Sequence, residues 1–133
     1  MTTIEKNRIR EAKQYLEDAE FLYTERIGNL QLLTKLYHAM IYSLFALLNI
    51  GDIGSLTHAN IIESFNADFV DNGIFRRTYV DALYFSHNLT HDCECANPKR
   101  PEDSDIDRVY FVARELVTGV EAYLSKNKQT TDD

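Results

Sequence analysis

Apolar residues along the chain recur at spacings of three and four, and nowhere in strict alternation, which is the period of helices rather than strands. Ile9, Ala12, Leu16, Ala19 and Tyr23 form one such stripe. Glu5, Lys6, Arg10, Lys13, Glu17 and Asp18 occupy the other faces, so the pattern predicts an amphipathic helix over about residues 3–26, ending near Gly28. From Leu30 to Ile50 the apolar residues surround the cylinder, as in a helix packed on several sides. Gly51 and Gly54 follow it and are suited to a left-handed helix end. A shorter segment from Thr57 to about Val70 carries Ile61, Ile62, Phe65 and Phe69 and stops at "DNG". A fourth helix is expected from about Phe75 into the polar stretch "HNLTHDCEC", residues 87–95. The stretch "CANPKRPEDSD" holds both prolines and no periodic apolar residue, so it reads as a loop. Ser104, with Asp107 three positions later, is spaced to cap the last helix, whose stripe is Ile106, Val109, Ala113, Leu116, Val120 and Tyr123. The expected fold is all-α, an antiparallel up-and-down helical bundle of four long helices plus one short helix in the second connection. One domain spans residues 1–126, and the polar tail 127–133 is expected to fray.

Composition narrows the setting. A chain of 133 residues, 44% hydrophobic, suits one domain with a single core. The richest apolar run, "AMIYSLFALLNI", is too short for a membrane span, and "MTTIEKNRIREAK" is charged rather than signal-like, so no membrane association and a cytoplasmic location are expected. The two cysteines, Cys93 and Cys95, stand too close in sequence to bridge without strain, which fits a reducing compartment. A net charge of −7 argues against broad electrostatic capture of nucleic acid.

The runs "YHAMIYSLFALL" and "THANIIESFNADFVDNG", followed by a helix with a polar end, a loop and a last amphipathic helix, resemble the HEPN domain proteins over about residues 8–125. The resemblance is to the small prokaryotic branch of that family. It implies a bundle of four to five helices, a homodimer, and pairing with a small nucleotidyltransferase as a toxin and antitoxin module, with RNA or a nucleotide as ligand. Many HEPN proteins are metal-independent ribonucleases, with an Arg, four to six residues, then His near the end of the fourth helix.

With His91 in the family's histidine position, the residues standing where the arginine belongs are Ser86, Phe85 and Tyr84. An arginine there would hold the scissile phosphate with a permanently cationic fork, which serine cannot supply. His91, His87 and Asn88 are the candidate catalytic residues under the family pattern, and His58, Tyr37, Lys99 and Arg100 the candidate ligand-binding ones. His87 and His91 share a helix face at i and i+4, with Asp92, Cys93, Glu94 and Cys95 following, a set compatible in type with zinc. The glutamate of the His-Glu-x-x-His motif is absent, however, and no second Cys or His pair closes a tetrahedral site, so no metal and no cofactor are expected. The plainer reading of the stretch is a helix end with Ser86 and Cys93 turned to the core and His91 near the last carbonyls. Tyr37, His38 and Tyr42 on the central helix likewise read first as core aromatics. The expected function is a HEPN-like binding or interaction protein, a homodimer and partner of a nucleotidyltransferase. The alternative is a ribonuclease acting through His91 across a dimer cleft.

Overall fold

The computed structural model describes residues 1–25, 28–52, 54, 56–91 and 101–127, with only the backbone of His91 and Asn127. The described residues form helices and no strand, in the order α1 (Thr3–Glu25), α2 (Asn29–Leu47), α3 (His58–Phe65), a π-helical extension (Asn66–Val70), α4 (Arg77–His91) and α5 (Asp103–Asn127). Among them no helix is long and apolar enough to cross a membrane.

Helix α2 is the centre of the core. Leu32, Leu33, Leu36, Tyr37, Ala39, Met40, Ile41, Leu44 and Phe45 are all 1% exposed or less, and α1, α3, α4 and α5 all pack against α2. Small residues set how closely the helices approach: Ala12 of α1, Ala39 of α2 and Val117 of α5 meet in one buried cluster. Cross-helix pairs fix the relative directions. Asp18 meets Lys35 and Arg8 meets Ile50, so a later residue of α1 faces an earlier one of α2. Lys13 meets Glu121 while Tyr23 meets Asp107, which relates α1 to α5 in the same opposed sense.

The helix ends show where local chemistry rules. Thr2 and Glu5 close α1 reciprocally: the Glu5 amide donates to Thr2 Oγ1 at 3.0 Å and the Thr2 amide to Glu5 Oε1 at 2.8 Å. Helix α2 stops earlier than its apolar run suggests, and neither Gly51 nor Gly54 ends it. Asn49 does, with φ 57°. Its amide donates to Ala46 O and that of Ile50 to Phe45 O, the paired bonds of a Schellman end. Asn tolerates this conformation, and its Oδ1 also accepts from Thr2 Oγ1 at 3.0 Å.

Two further expectations are corrected. The segment after Phe65 winds as a π-helix, with Asp71 N–H donating to Asn66 O. The wider turn accompanies an aromatic cluster in which Phe65, Phe69, Phe75 and Tyr123 lie 5.7–6.2 Å apart by ring centroid. Ser104 and Asp107 do not cap α5. That helix begins one residue before Ser104, the Glu102 amide donates to Asp105 Oδ2, and Asp107 accepts the Tyr23 hydroxyl at 2.6 Å, so a tertiary bond claims the carboxylate.

Candidate functional site

Seven rings from four helices make a continuous strip across α2: Tyr15 of α1, then Tyr37, His38, Tyr42 and Phe45 of α2, His58 of α3 and His87 of α4. Tyr15 stacks on His38 with centroids 5.1 Å apart and planes 24° apart. His38 meets the edge of Tyr37 at 5.9 Å, Tyr37 meets His58 at 5.6 Å and His87 at 5.7 Å, and the two imidazoles lie 6.5 Å apart. Three of the chain's four histidines therefore stand on one strip.

Local structure explains each placement. His58 is the first residue of α3 because Thr57 caps it: Thr57 Oγ1 accepts from the Asn60 amide at 3.0 Å, and Asn60 Oδ1 accepts from the Thr57 amide. Tyr37 lies on the buried side of α2, and its hydroxyl reaches Nδ1 of His58 at 2.8 Å. Burial pushes the Tyr37 phenol far above its ordinary value, so it keeps its proton throughout the physiological range. Nδ1 of His38 lies 2.8 Å from the Thr34 carbonyl. A carbonyl only accepts, so Nδ1 carries the proton, and Nε2 is the acceptor nitrogen of the neutral ring.

The other end of the strip is held by cations. Lys35 Nζ stands 5.5 Å from the Tyr15 ring. The Arg8 guanidinium lies over Tyr42 and Phe45 at 5.5 and 5.2 Å, while donating to Ile50 O at 3.0 Å, Gly51 O at 2.8 Å and Glu11 at 2.9 Å. Arg8 is thereby spent on binding α1 to the end of α2. The Tyr42 phenol is pushed up by burial and then by Tyr15 beside it.

Tyr37, His58 and His87, expected from sequence as candidates, are thus brought together. Asn88 is exposed on α4 and bonds to none of the three among the described residues. His91 is the last residue of α4, one turn beyond His87, and its side chain lies outside the described residues, as do Cys93, Cys95, Lys99 and Arg100. Tyr15 was missed as a participant. Its position beside Leu16, at the border of the α1 stripe, was the available signal. His38 and Tyr42 read from sequence first as core, yet both are half-buried and face the strip. Among the described residues no three His, Cys, Asp or Glu side chains gather as a metal-ligand group.

The positions where a family arginine would stand are occupied as follows. Ser86 is 0% exposed, and its Oγ has no hydrogen-bond partner among the described residues. Phe85 is half-buried with the Arg108 guanidinium 4.8 Å from its ring centroid, and Tyr84 is 37% exposed. Arg76 and Arg77 pair with Glu115 and Asp81 at the opposite end of α4 from His91.

Comparisons with protein-family models, with curated proteins and with solved structures give no match to this chain.

Elsewhere, an open groove of about 490 Å³ runs between α1 and α5, lined by Lys6, Arg10, Lys13, Glu17 and Glu121 among others. The Lys13–Glu121 pair at 2.8 Å bridges it, and its opposed charges offset one another. The strip differs in kind. It offers imidazole nitrogens, phenol hydroxyls and ring faces in a partly dry setting, which suits hydrogen bonding and stacking rather than bidentate gripping of a phosphate.

Proposed function

We propose that the chain is a HEPN-like binding protein whose ligand seat is the junction of α2, α3 and α4 at Tyr37, His58 and His87. The observation that carries this reading is the convergence of these three side chains, from three helices, around the 2.8 Å Tyr37–His58 hydrogen bond. In the same reading the four long helices form an antiparallel up-and-down bundle, supported by the opposed pairings of α1 with α2 and α5. The homodimer, the nucleotidyltransferase partner, the cytoplasmic setting, and RNA or a nucleotide as ligand rest on the family resemblance.

Binding is preferred over cleavage because Ser86 stands in the buried face of α4, where it presents no cation to a phosphate. The ribonuclease reading draws on one observation of its own: Arg108 of α5 lies over Phe85, the residue five intervening positions before His91, and so brings a guanidinium to the helix from outside it. Arg108 is also paired with Asp105 at 3.3 Å.

The deciding experiment titrates metal-free protein with a fluorescent single-stranded RNA at pH 7, following anisotropy and strand length together, while sedimentation reports the oligomer. Saturable binding without cleavage, weakened at least tenfold by His87→Ala or His58→Ala, is expected. Cleavage that is lost in both His91→Ala and Arg108→Ala would install the ribonuclease in its place. Absence of both binding and cleavage would remove RNA as the ligand.

A further inference from the structure

Helix α1 divides its charges by halves. Residues 3–14 carry Lys6, Arg8, Arg10 and Lys13 against Glu5 and Glu11, whereas residues 15–25 carry Glu17, Asp18, Glu20 and Glu25 and no cation. Glu5 apart, this order opposes the helix dipole, which favours anions in the first turn and cations in the last, so local helix chemistry gives no reason for it. Contacts within the chain use some of these charges: Arg8 pairs with Glu11, Lys13 with Glu121 and Asp18 with Lys35. Lys6, Arg10, Glu17 and Glu20 are exposed and form no ion pair among the described residues.

Arg10, Gln14, Glu17 and Phe21 follow one another at spacings of four, three and four, so they make one stripe on the side of α1 away from Ile9, Ala12, Leu16 and Ala19. Phe21, at the acidic end of the stripe, is 62% exposed. At the basic end opens the groove of about 490 Å³, with Met1 and Ile9 among Lys6, Arg10 and Lys13. The stripe is complementary to itself. Arg10 and Glu17 are equally far from the point between Lys13 and Gln14, and so are Lys6 and Phe21. A two-fold turn about that point therefore sets Arg10 of each copy against Glu17 of the other, and Phe21 of each against Lys6 of the other, beside its groove. We propose that the outer face of α1 is an interaction surface for a second copy of this chain, packed antiparallel through reciprocal Arg10–Glu17 pairs, with Phe21 at the mouth of the other copy's groove.

Charge chooses the antiparallel sense. A parallel, in-register pairing would oppose Arg10 to Arg10 and Glu17 to Glu17, and like charges in contact reject such a partner. The aliphatic stems of Lys6 and Arg10 cover the Phe21 ring while their cations lie near its face. One helix face stands at the small end of specific interfaces, so the dimer forms in the micromolar range, and salt weakens it by screening the exposed pairs. The surface involves neither the ligand seat at Tyr37, His58 and His87 nor a cleft at His91, and its argument uses no family resemblance.

Sedimentation of the full chain from about 1 to about 300 μM, a range that spans micromolar dissociation constants, tests the pairing. The wild type is expected to dimerise, at least tenfold more weakly in Arg10→Glu, in Glu17→Arg and in Phe21→Ala, whereas the double variant Arg10→Glu/Glu17→Arg, which exchanges the two charges, should regain the wild-type constant. A merely destabilising role of either residue would not be rescued by the exchange. Far-UV circular dichroism checks that each variant folds, and Arg10→Gln and Glu17→Gln replace a reversal that does not. A wild type that stays monomeric, or a folded double variant no better than the single ones, overturns the proposal. A dimer indifferent to both reversals also overturns it, and leaves the homodimer of the HEPN-like reading to another face. RNA binding that fails while the charge exchange rescues the dimer would remove that reading's ligand and leave this surface standing.

Discussion

The hydroxyl of Tyr37 and Nδ1 of His58, on helices joined by a long connection, lie 2.8 Å apart, and Tyr37 is completely buried. That single bond does two things. It satisfies a polar atom that α2 carries into the core, and it orients the ring at the start of α3. A buried phenol without its partner would cost a good part of its desolvation.

Tyr37→Phe therefore removes one half of a pair and leaves His58 Nδ1 to find another. The expected loss is about 1–2 kcal/mol, read as a lowered urea midpoint with an unchanged slope. An unchanged midpoint would show that the bond contributes nothing to the fold.

The same tyrosine sets an alkaline limit. Its folded pKa is raised by burial, so between the ordinary phenol value and the raised one the native state binds a proton that the unfolded chain has released. This stability is complete below about pH 10 and falls as pH rises, by at most about 1.4 kcal/mol per pH unit for one group. Tyr42 is shifted in the same direction and adds to the slope. Denaturation midpoints measured from pH 8 to 11.5 should fall above pH 10, and less steeply in Tyr37→Phe. Parallel curves for the two proteins would refute the assignment.

Much of the architecture was legible because it rests on periodicity: the stripe Ile9, Ala12, Leu16, Ala19 and Tyr23 can be read without a partner, and so can the apolar girdle of α2. What escaped depends on contacts across the fold. The spacing of Phe65 and Phe69 fits continued α-helix as well as the π turn, and only Phe75 and Tyr123 distinguish the two. Asp107 looked like a capping carboxylate until Tyr23 took it. The strip was half legible: Tyr37, His58 and His87 were candidates singly, but their meeting is a property of three helices packed together, and Tyr15 looked like the edge of a core stripe.

Asn49 gives a sharper check on the end of α2. It holds φ 57° and lends Oδ1 to Thr2. Asn49→Val puts a β-branched residue into the left-handed region and should cost about 1–3 kcal/mol. Asn49→Gly relieves the conformation while losing the Thr2 contact, so its midpoint should stay within about 0.5 kcal/mol of the wild type. If Val were tolerated as well as Gly, the helix would not end at this residue.

Ser86 carries the last prediction, and it bears on the enzyme question directly. Its Oγ is buried with no hydrogen-bond partner among the described residues, so the hydroxyl is an uncompensated polar group in the packed face of α4. Ser86→Ala removes that group with almost no change in shape and should leave stability equal or raise it by up to about 1 kcal/mol. Ser86→Arg places an arginine where the proposed HEPN-like reading expects one, but it drives a guanidinium toward Leu83 and Tyr79, both buried on the same side of α4. An uncompensated buried charge costs several kcal/mol, enough to unfold a domain of ordinary stability. Thermal melts of the three proteins should therefore rank Ala at or above the wild type and Arg far below it. A folded Ser86→Arg protein that cleaves RNA would mean that this face of α4 opens to substrate and would favour the ribonuclease reading over binding alone.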